Sequence, residues 1–149
     1  MSMKRIASLA FLVLSVLGAC RKNNDASSEM LGSWKLVSVY DKNTAIMLTP
    51  PATNMDVVLT FLSRNRFAGH TLRNTLMGGS YLQNGNEITF QNFTMTTIAE
   101  DQWGASFLSV LTACSLQSTA PCSPSMISVQ GNLMHIHTPL RYDVTFKKM

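Results

Sequence analysis

From Leu31 onward, apolar residues recur at every second position in short runs divided by turn-forming residues, the pattern of strands that bury one face. In LGSWKLVSVY (31–40), Trp34, Leu36, Ser38 and Tyr40 fall on one face and Lys35, Val37 and Val39 on the other. Thr49-Pro50-Pro51 interrupts this pattern. MDVVLTFL (55–62) then reads as a strand, Ser63-Arg64-Asn65 as a turn, and RFAGHT (66–71) as the hairpin partner. GSYLQ (79–83) and NEITFQN (86–92) flank Asn84-Gly85, a dipeptide that suits a type I′ turn because both central residues need positive φ. MISVQ (126–130) and NLMHIH (132–137) pair around Gly131, and RYDVTFKK (141–148) ends the chain with Tyr142, Val144 and Phe146 on one face.

Between these runs the period changes. Thr97-Ile98-Ala99-Glu100 matches a capping box, in which two side chains satisfy free backbone N–H groups at a helix start. Trp103, Phe107, Val110, Leu111 and Cys114 then recur at helical spacing, which predicts one amphipathic helix over 97–113 packed on a sheet. About eight short strands and one helix imply a mainly β protein, a small antiparallel barrel, conical or curled, with the helix packed against it. The sequence contains no internal repeat.

Ahead of this domain the chain has a different character. Met3-Lys4-Arg5 is a short positive region, Ile6 to Leu17 is almost wholly apolar, and Gly18-Ala19 supplies small residues. The sequence pattern is that of an export signal; a helix that stays in a membrane needs about 20 apolar residues. Leu17-Gly18-Ala19-Cys20 resembles a bacterial lipobox, which implies removal of residues 1–19 and acylation of the Cys20 thiol. Two or three acyl chains supply the several anchoring signals that stable attachment requires. Residues 20–30 then form a polar tether without apolar periodicity, leaving 31–149 as the folded domain. Arg21 departs from the Asp that resembles an inner-membrane retention signal, which favours the outer membrane of the envelope over the inner.

Of the three cysteines, assigning Cys20 to lipid leaves Cys114 and Cys122 as a pair. An exported chain permits a disulfide between them, and closing so short a loop is worth about 2–3 kcal/mol at most.

Composition narrows the function further. Charged residues are 13% of the chain, too few for a disordered segment. Lys4 and Arg5 leave with the leader, so a formal charge of +4 falls to +2. No run of Lys and Arg supplies a stripe for nucleic acid. There is no Gly-x-Ser-x-Gly elbow for a nucleophile. Gly78-Gly79 reads as the start of a strand rather than as a phosphate loop before a helix. Glu100 and Asp101 read as charges in the first turn of the helix, while Asp56, Glu87 and Asp143 fall on strands without a partner evident in sequence. The expectation is therefore a non-catalytic protein without a cofactor.

His135-Ile136-His137 places two imidazoles on one strand face, a zinc-compatible spacing to which His70 could add. Met134 and Ile136 form the apolar face of that strand, so the histidines are expected to point to solvent and a metal site is not expected. Methionines such as Met77, Met95 and Met134 are read as adaptable core filler.

Most of residues 31–148 resembles the META/HslJ domain family. The motif elements are Phe67-Ala68-Gly69, Arg73-Asn74, Gly79-Ser80-Tyr81, the strand ITF (88–90) and Thr96-Thr97-Ile98-Ala99-Glu100. Gly69, Asn74, Gly79, Tyr81 and Thr96 stand at matching motif positions, while Arg73 and Glu100 replace two family cysteines; an Arg73–Glu100 ion pair could replace a contact between them. The resemblance implies a conical antiparallel barrel capped by a helix, similar in shape to pilot lipoproteins of secretion systems, and a loose connection to stress. Gly32-Ser33-Trp34 also looks like the Gly-x-Trp opening of lipocalin-like proteins, whose Trp plugs the barrel base. The resulting expectation is a monomeric envelope lipoprotein that binds an envelope protein or a small apolar ligand. The candidate pocket comprises Trp34, Tyr81, Trp103 and Phe107. The alternatives are a lipocalin-like carrier and a solid-core interaction module.

Overall fold

The computed structural model describes residues 28–113 and 124–149. The leader, Cys20, most of the tether, and both Cys114 and Cys122 lie outside them. Ten strands and one helix follow in the order β1 (Gly32–Asp41), β2 (Ile46–Leu48), β3 (Val58–Leu62), β4 (Arg66–His70), β5 (Thr75–Asn84), β6 (Glu87–Gln91), β7 (Thr94–Met95), α1 (Gln102–Leu111), β8 (Ser125–Gln130), β9 (Leu133–His137) and β10 (Tyr142–Lys148). Antiparallel neighbours run β1-β3-β4-β5-β6-β8-β9-β10, and β10 pairs back onto β1. The result is the expected closed barrel of eight strands, with a single helix among the described residues. The short β2 and β7 add to β1 and β5 outside this ring. Closure removes the unpaired edges that an open sheet would expose.

In an up-and-down barrel, successive connections alternate between two ends. One end, here called the base, carries the short turns after β3, β5 and β8, together with Met30 and Met149. The other, the loop end, carries the longer connections after β1, β4, β6 and β9. The β6 ladder to β8 is short, pairing Glu87 with Met126 and Ile88 with Ser125.

Alternation fails within β1, and a bulge is the cause. Leu36 faces Phe146 and Ser38 faces Thr145, so two residues advance on β1 for one on β10. The extra residue reverses the faces downstream: Trp34 and Leu36 point inward as expected, but then Val39 and Asp41 do so, and Tyr40 turns outward. A second bulge lengthens β5 well beyond residues 79–83. Phe67 faces Gly79 while Gly69 faces Leu76, and Gly78 takes φ +54°. Gly78-Gly79 therefore lies inside a strand rather than at its start. A Cβ at Gly79 would strike the Phe67 ring, so this position admits the ring only because it has no side chain. The β5–β6 turn also differs from expectation. Asn84 pairs with Glu87, leaving Gly85-Asn86 as the two loop residues; positive φ occurs at Gly85 and not at Asn86, the requirement of type II′ rather than I′.

The helix is shorter than its apolar period implied. It begins at Gln102, and Asp101, not Thr97, caps it by accepting from the Gly104 N–H at 2.8 Å. Residues 97–100 are held outside the helix because the Asn74 side chain takes both backbone groups of Ile98, at 2.7 Å each.

Trp103, Phe107, Val110 and Leu111 are buried as the helical spacing predicted. Phe107 meets Phe146 edge-on at 5.9 Å between ring centres, placing α1 against β10 and β1 at the loop end. At the base, Trp34 is fully buried and its Nε1 donates to the Met30 carbonyl at 2.7 Å. Between these ends, Phe61 packs edge-on against Tyr81 (5.2 Å), and Phe67 against Phe90 (5.1 Å). Met134 belongs to this core and Met95 packs beside it, but Met77 is exposed, an exception to the reading of the methionines as filler.

Candidate functional site

The four residues expected to line a pocket instead fill the barrel. Trp34, Tyr81 and Phe107 are at most 1% exposed and Trp103 is 5% exposed; all four join one apolar cluster. An eight-stranded barrel has an interior just wide enough for side chains to fill it, and here aromatic rings from β1, β3, β4, β5, β6, β10 and α1 do so. Of the four, Trp103 also borders a groove, which opens on the outer wall beside the middle of β1 and the residues before β3.

That groove, of about 210 Å³, lies between β1 and residues 50–56, with Pro50, Pro51, Met55 and Trp103 in its lining. The loop is held to the wall by the Leu36 N–H donating to the Val57 carbonyl at 2.9 Å and by the Lys35–Asp56 ion pair at 2.7 Å. Pro50-Pro51 favours extended backbone because each ring fixes φ. Met55, 57% exposed, separates this groove from a second of about 360 Å³ formed by residues 69–75. The two grooves with their shared methionine form a mostly apolar surface around the outside of the plug.

The wall of the second groove is built by hydrogen bonds. Asn74 is buried. Its Nδ2 donates to the Ile98 carbonyl and to Glu100 Oε1, and its Oδ1 accepts from Ile98 N–H and from Thr96 Oγ1 at 2.9 Å. Thr71 Oγ1 also donates to Glu100 Oε1. The sequence-selected Asn74 and Thr96 thus meet, joining the β4–β5 loop to the segment before α1. Gly69 serves packing: a Cβ there would collide with the Val58 carbonyl on β3. The Arg73–Glu100 pair does not form among the described residues. Arg73 Nη1 donates to the Ala99 carbonyl at 2.8 Å instead, because Thr71 and Asn74 already hold the carboxylate. Glu100 precedes the helix rather than standing in its first turn.

A second polar cluster closes the loop end between β1 and β10. Asp41 is 1% exposed and receives two hydrogen bonds from the Arg141 guanidinium, at 2.8 Å and 2.5 Å. These hold the Asp41 carboxyl at about 2; burial opposes the shift and the Asn43 N–H reinforces it. The same pairing raises the Arg141 pKa. Sequence reasoning missed this pair, because the bulge that turns Asp41 inward has no sequence mark of its own. Asp56 and Asp143, without an evident partner in sequence, pair with Lys35 and with Lys42, the latter at 3.1 Å.

The histidines point outward from β9 on the face opposite buried Met134 and Ile136. His135 Nδ1 lies 3.0 Å from Thr145 Oγ1, and His137 Nδ1 lies 3.2 Å from Asp143 Oδ2. His70 is on β4, four strands from β9 in either direction round the ring, so it cannot join them. Among the described residues no three His, Cys, Asp or Glu side chains gather as a metal site.

No family model matches the chain, and no curated protein matches it. Solved structures do share its fold. A protein from Burkholderia xenovorans, determined by NMR, is 17% identical with a TM-score of 0.57 over 79% of this chain and 81% of that one. A DUF4847-family protein from Bacteroides vulgatus is 14% identical with a TM-score of 0.53 over 80% and 94%. At these identities the likeness establishes architecture alone.

Proposed function

We propose that the chain is a lipid-anchored, non-catalytic module of the bacterial envelope, META/HslJ-like in type, that binds through its loop end. Its ligand is an apolar segment of an envelope partner, and the inside of the barrel carries none. The observation behind this choice is the filled interior: Trp34, Tyr81 and Phe107 occupy the space that a lipocalin-like carrier would keep open. The open apolar lining instead lies in the two grooves that share Met55. Exposed Ile98 adds apolar surface to the same end, and exposed apolar groups in one region mark interaction sites more often than chance placement does. Cys20 acylation would hold the domain at the outer membrane. A stress-related role is consistent with such a module.

Two measurements test this reading. Native mass spectrometry of the purified mature protein is expected to show the chain without a co-purifying small molecule; a retained lipid or other apolar ligand would favour the carrier. Photo-crosslinking in cells from position 55 is expected to capture a defined envelope protein, with the adduct lost when Pro51 and Thr53 are changed to Asp. Equal capture from a position on the outer face of β9 would refute a loop-end site.

A further inference from the structure

The acidic partners of the ion pairs gather toward one end of this barrel. Among the described residues the ion pairs of Lys and Arg are Lys35–Asp56, Lys42–Asp143 and Arg141–Asp41, and His137 Nδ1 lies within hydrogen-bond distance of Asp143. All use acidic groups that lie on the loop-end side of β1, β3 and β10. Arg64, Arg66, Lys147 and Lys148 belong to none of them; Arg73 at the loop end is also outside these pairs, but its Nη1 donates to the Ala99 carbonyl. Arg64 and Arg66 stand at the β3–β4 turn, and Lys147 and Lys148 at the end of β10, so all four are at the base, and all four are exposed. The acidic residues at that end are Glu29 and Glu87. Exposed Leu62, Leu133 and Met149 lie at the same end, giving the base both cationic and apolar groups.

The N-terminal segment arrives at this end. Met30 is buried against Trp34 at the base, and Lys148 Nζ donates to the Glu29 carbonyl at 3.0 Å. Cys20 precedes Met30 by ten residues, which span at most about 35 Å when fully extended. A lipid on Cys20 would therefore hold the base within about 35 Å of the bilayer, and the charges at the base would decide whether it docks. Arg21 and Lys22, against Asp25, add positive charge along the way.

We propose that the base of the barrel docks on an anionic lipid surface, with Arg64, Arg66, Lys147 and Lys148 facing the headgroups. The inference rests on the lipid-anchor reading for its geometry, and it deepens that reading by fixing which end faces the membrane. Lys148 is partly engaged already, lying 5.1 Å from the centre of the Trp34 ring, so Arg64, Arg66 and Lys147 are the freer contacts. A basic residue close to an anionic bilayer multiplies partitioning by roughly fivefold, and the attraction is largely screened beyond a Debye length of about 8 Å at physiological salt. Docking at the base directs the groove formed by residues 69–75 away from the bilayer surface, where the envelope partner would reach it.

The test uses the mature acylated protein in vesicles of phosphatidylcholine alone or with one third phosphatidylglycerol, read by the rate of lysine acylation. The Lys147 rate is expected to fall about fivefold or more in the anionic vesicles, while Lys42 at the loop end is unchanged. Protection should disappear at about 1 M salt, where the Debye length is about 3 Å. It should also weaken in the Arg64→Gln, Arg66→Gln variant, whose fold is checked by its thermal melt. Equal Lys147 rates in both vesicle types would overturn the proposal. Intact mass reports separately whether Cys20 carries acyl chains. If it does not, the anchor reading fails, and co-sedimentation of the unacylated chain decides the base: binding to anionic vesicles that the double variant reduces by an order of magnitude or more sustains it, and no such binding overturns it.

Discussion

Asp41 illustrates how one residue can tie the two strands that close the barrel. The guanidinium of Arg141 holds its carboxyl at about 2, below the ordinary value near 3.9, so the folded protein takes up this proton less readily than the unfolded chain. A depressed pKa contributes stability that is complete above the unfolded value and lost as the pH falls through the folded one. Acid unfolding of the native protein should therefore show a steepening between about pH 4 and pH 2, the two values bounding this group. Asp41→Asn should flatten that limb and leave the alkaline side unchanged, as followed by denaturant midpoints across pH. Trp34 offers a second check. Trp34→Phe keeps most of the packing but leaves the buried Met30 carbonyl without its donor, at a cost of about 1–3 kcal/mol. An unaltered thermal midpoint in that variant would mean that Met30 is free to leave the base.

At the level of elements, α1 depends on its cap and on the segment before it. Asp101→Ala removes the acceptor for the Gly104 N–H and should cost about 1 kcal/mol; Thr97→Ala, at the residue the capping-box pattern selects, should change stability by less than about 0.5 kcal/mol. Chemical denaturation of the two variants separates the alternatives, and a larger loss for Thr97→Ala would contradict the helix start at Gln102. Asn74→Ala should cost more than either. It strips hydrogen bonds from both backbone groups of Ile98 and from Glu100, and together these part-buried losses should cost about 2–3 kcal/mol. Because Asn74 also builds the wall of the second groove, this variant should weaken partner capture at the loop end as well as stability.

For the whole molecule, the ring is strongest where β9, β10 and β1 meet along long ladders, and weakest at the two-pair seam between β6 and β8. Local opening follows the distribution of such pairing. Hydrogen exchange should accordingly be slowest for amides of β10 and its two neighbours, and fastest within the barrel for Ser125 and Met126. Similar protection around the entire ring would show that the core, rather than the ladders, sets the opening energy.

The legibility of the chain differs between these scales. The short apolar repeats, the turn residues between them and the single helical period are local properties, which is why eight strands, one helix and the outward face of His135 and His137 could be read directly. The leader pattern around Cys20 is local in the same sense. The motif residues Asn74 and Thr96 were legible as positions, although not as partners. Tertiary structure alone decided where β1 reverses its faces, because a bulge depends on the register of β10 and leaves Tyr40 outside and Asp41 inside without altering the composition. It likewise decided the start of α1: the contact between Asn74 and Ile98 joins residues 24 apart and overrides a capping pattern four residues long. It turned the aromatic set expected to line a pocket into a plug, since strand number and tilt fix the bore of a barrel, and eight strands leave only the width that such side chains fill.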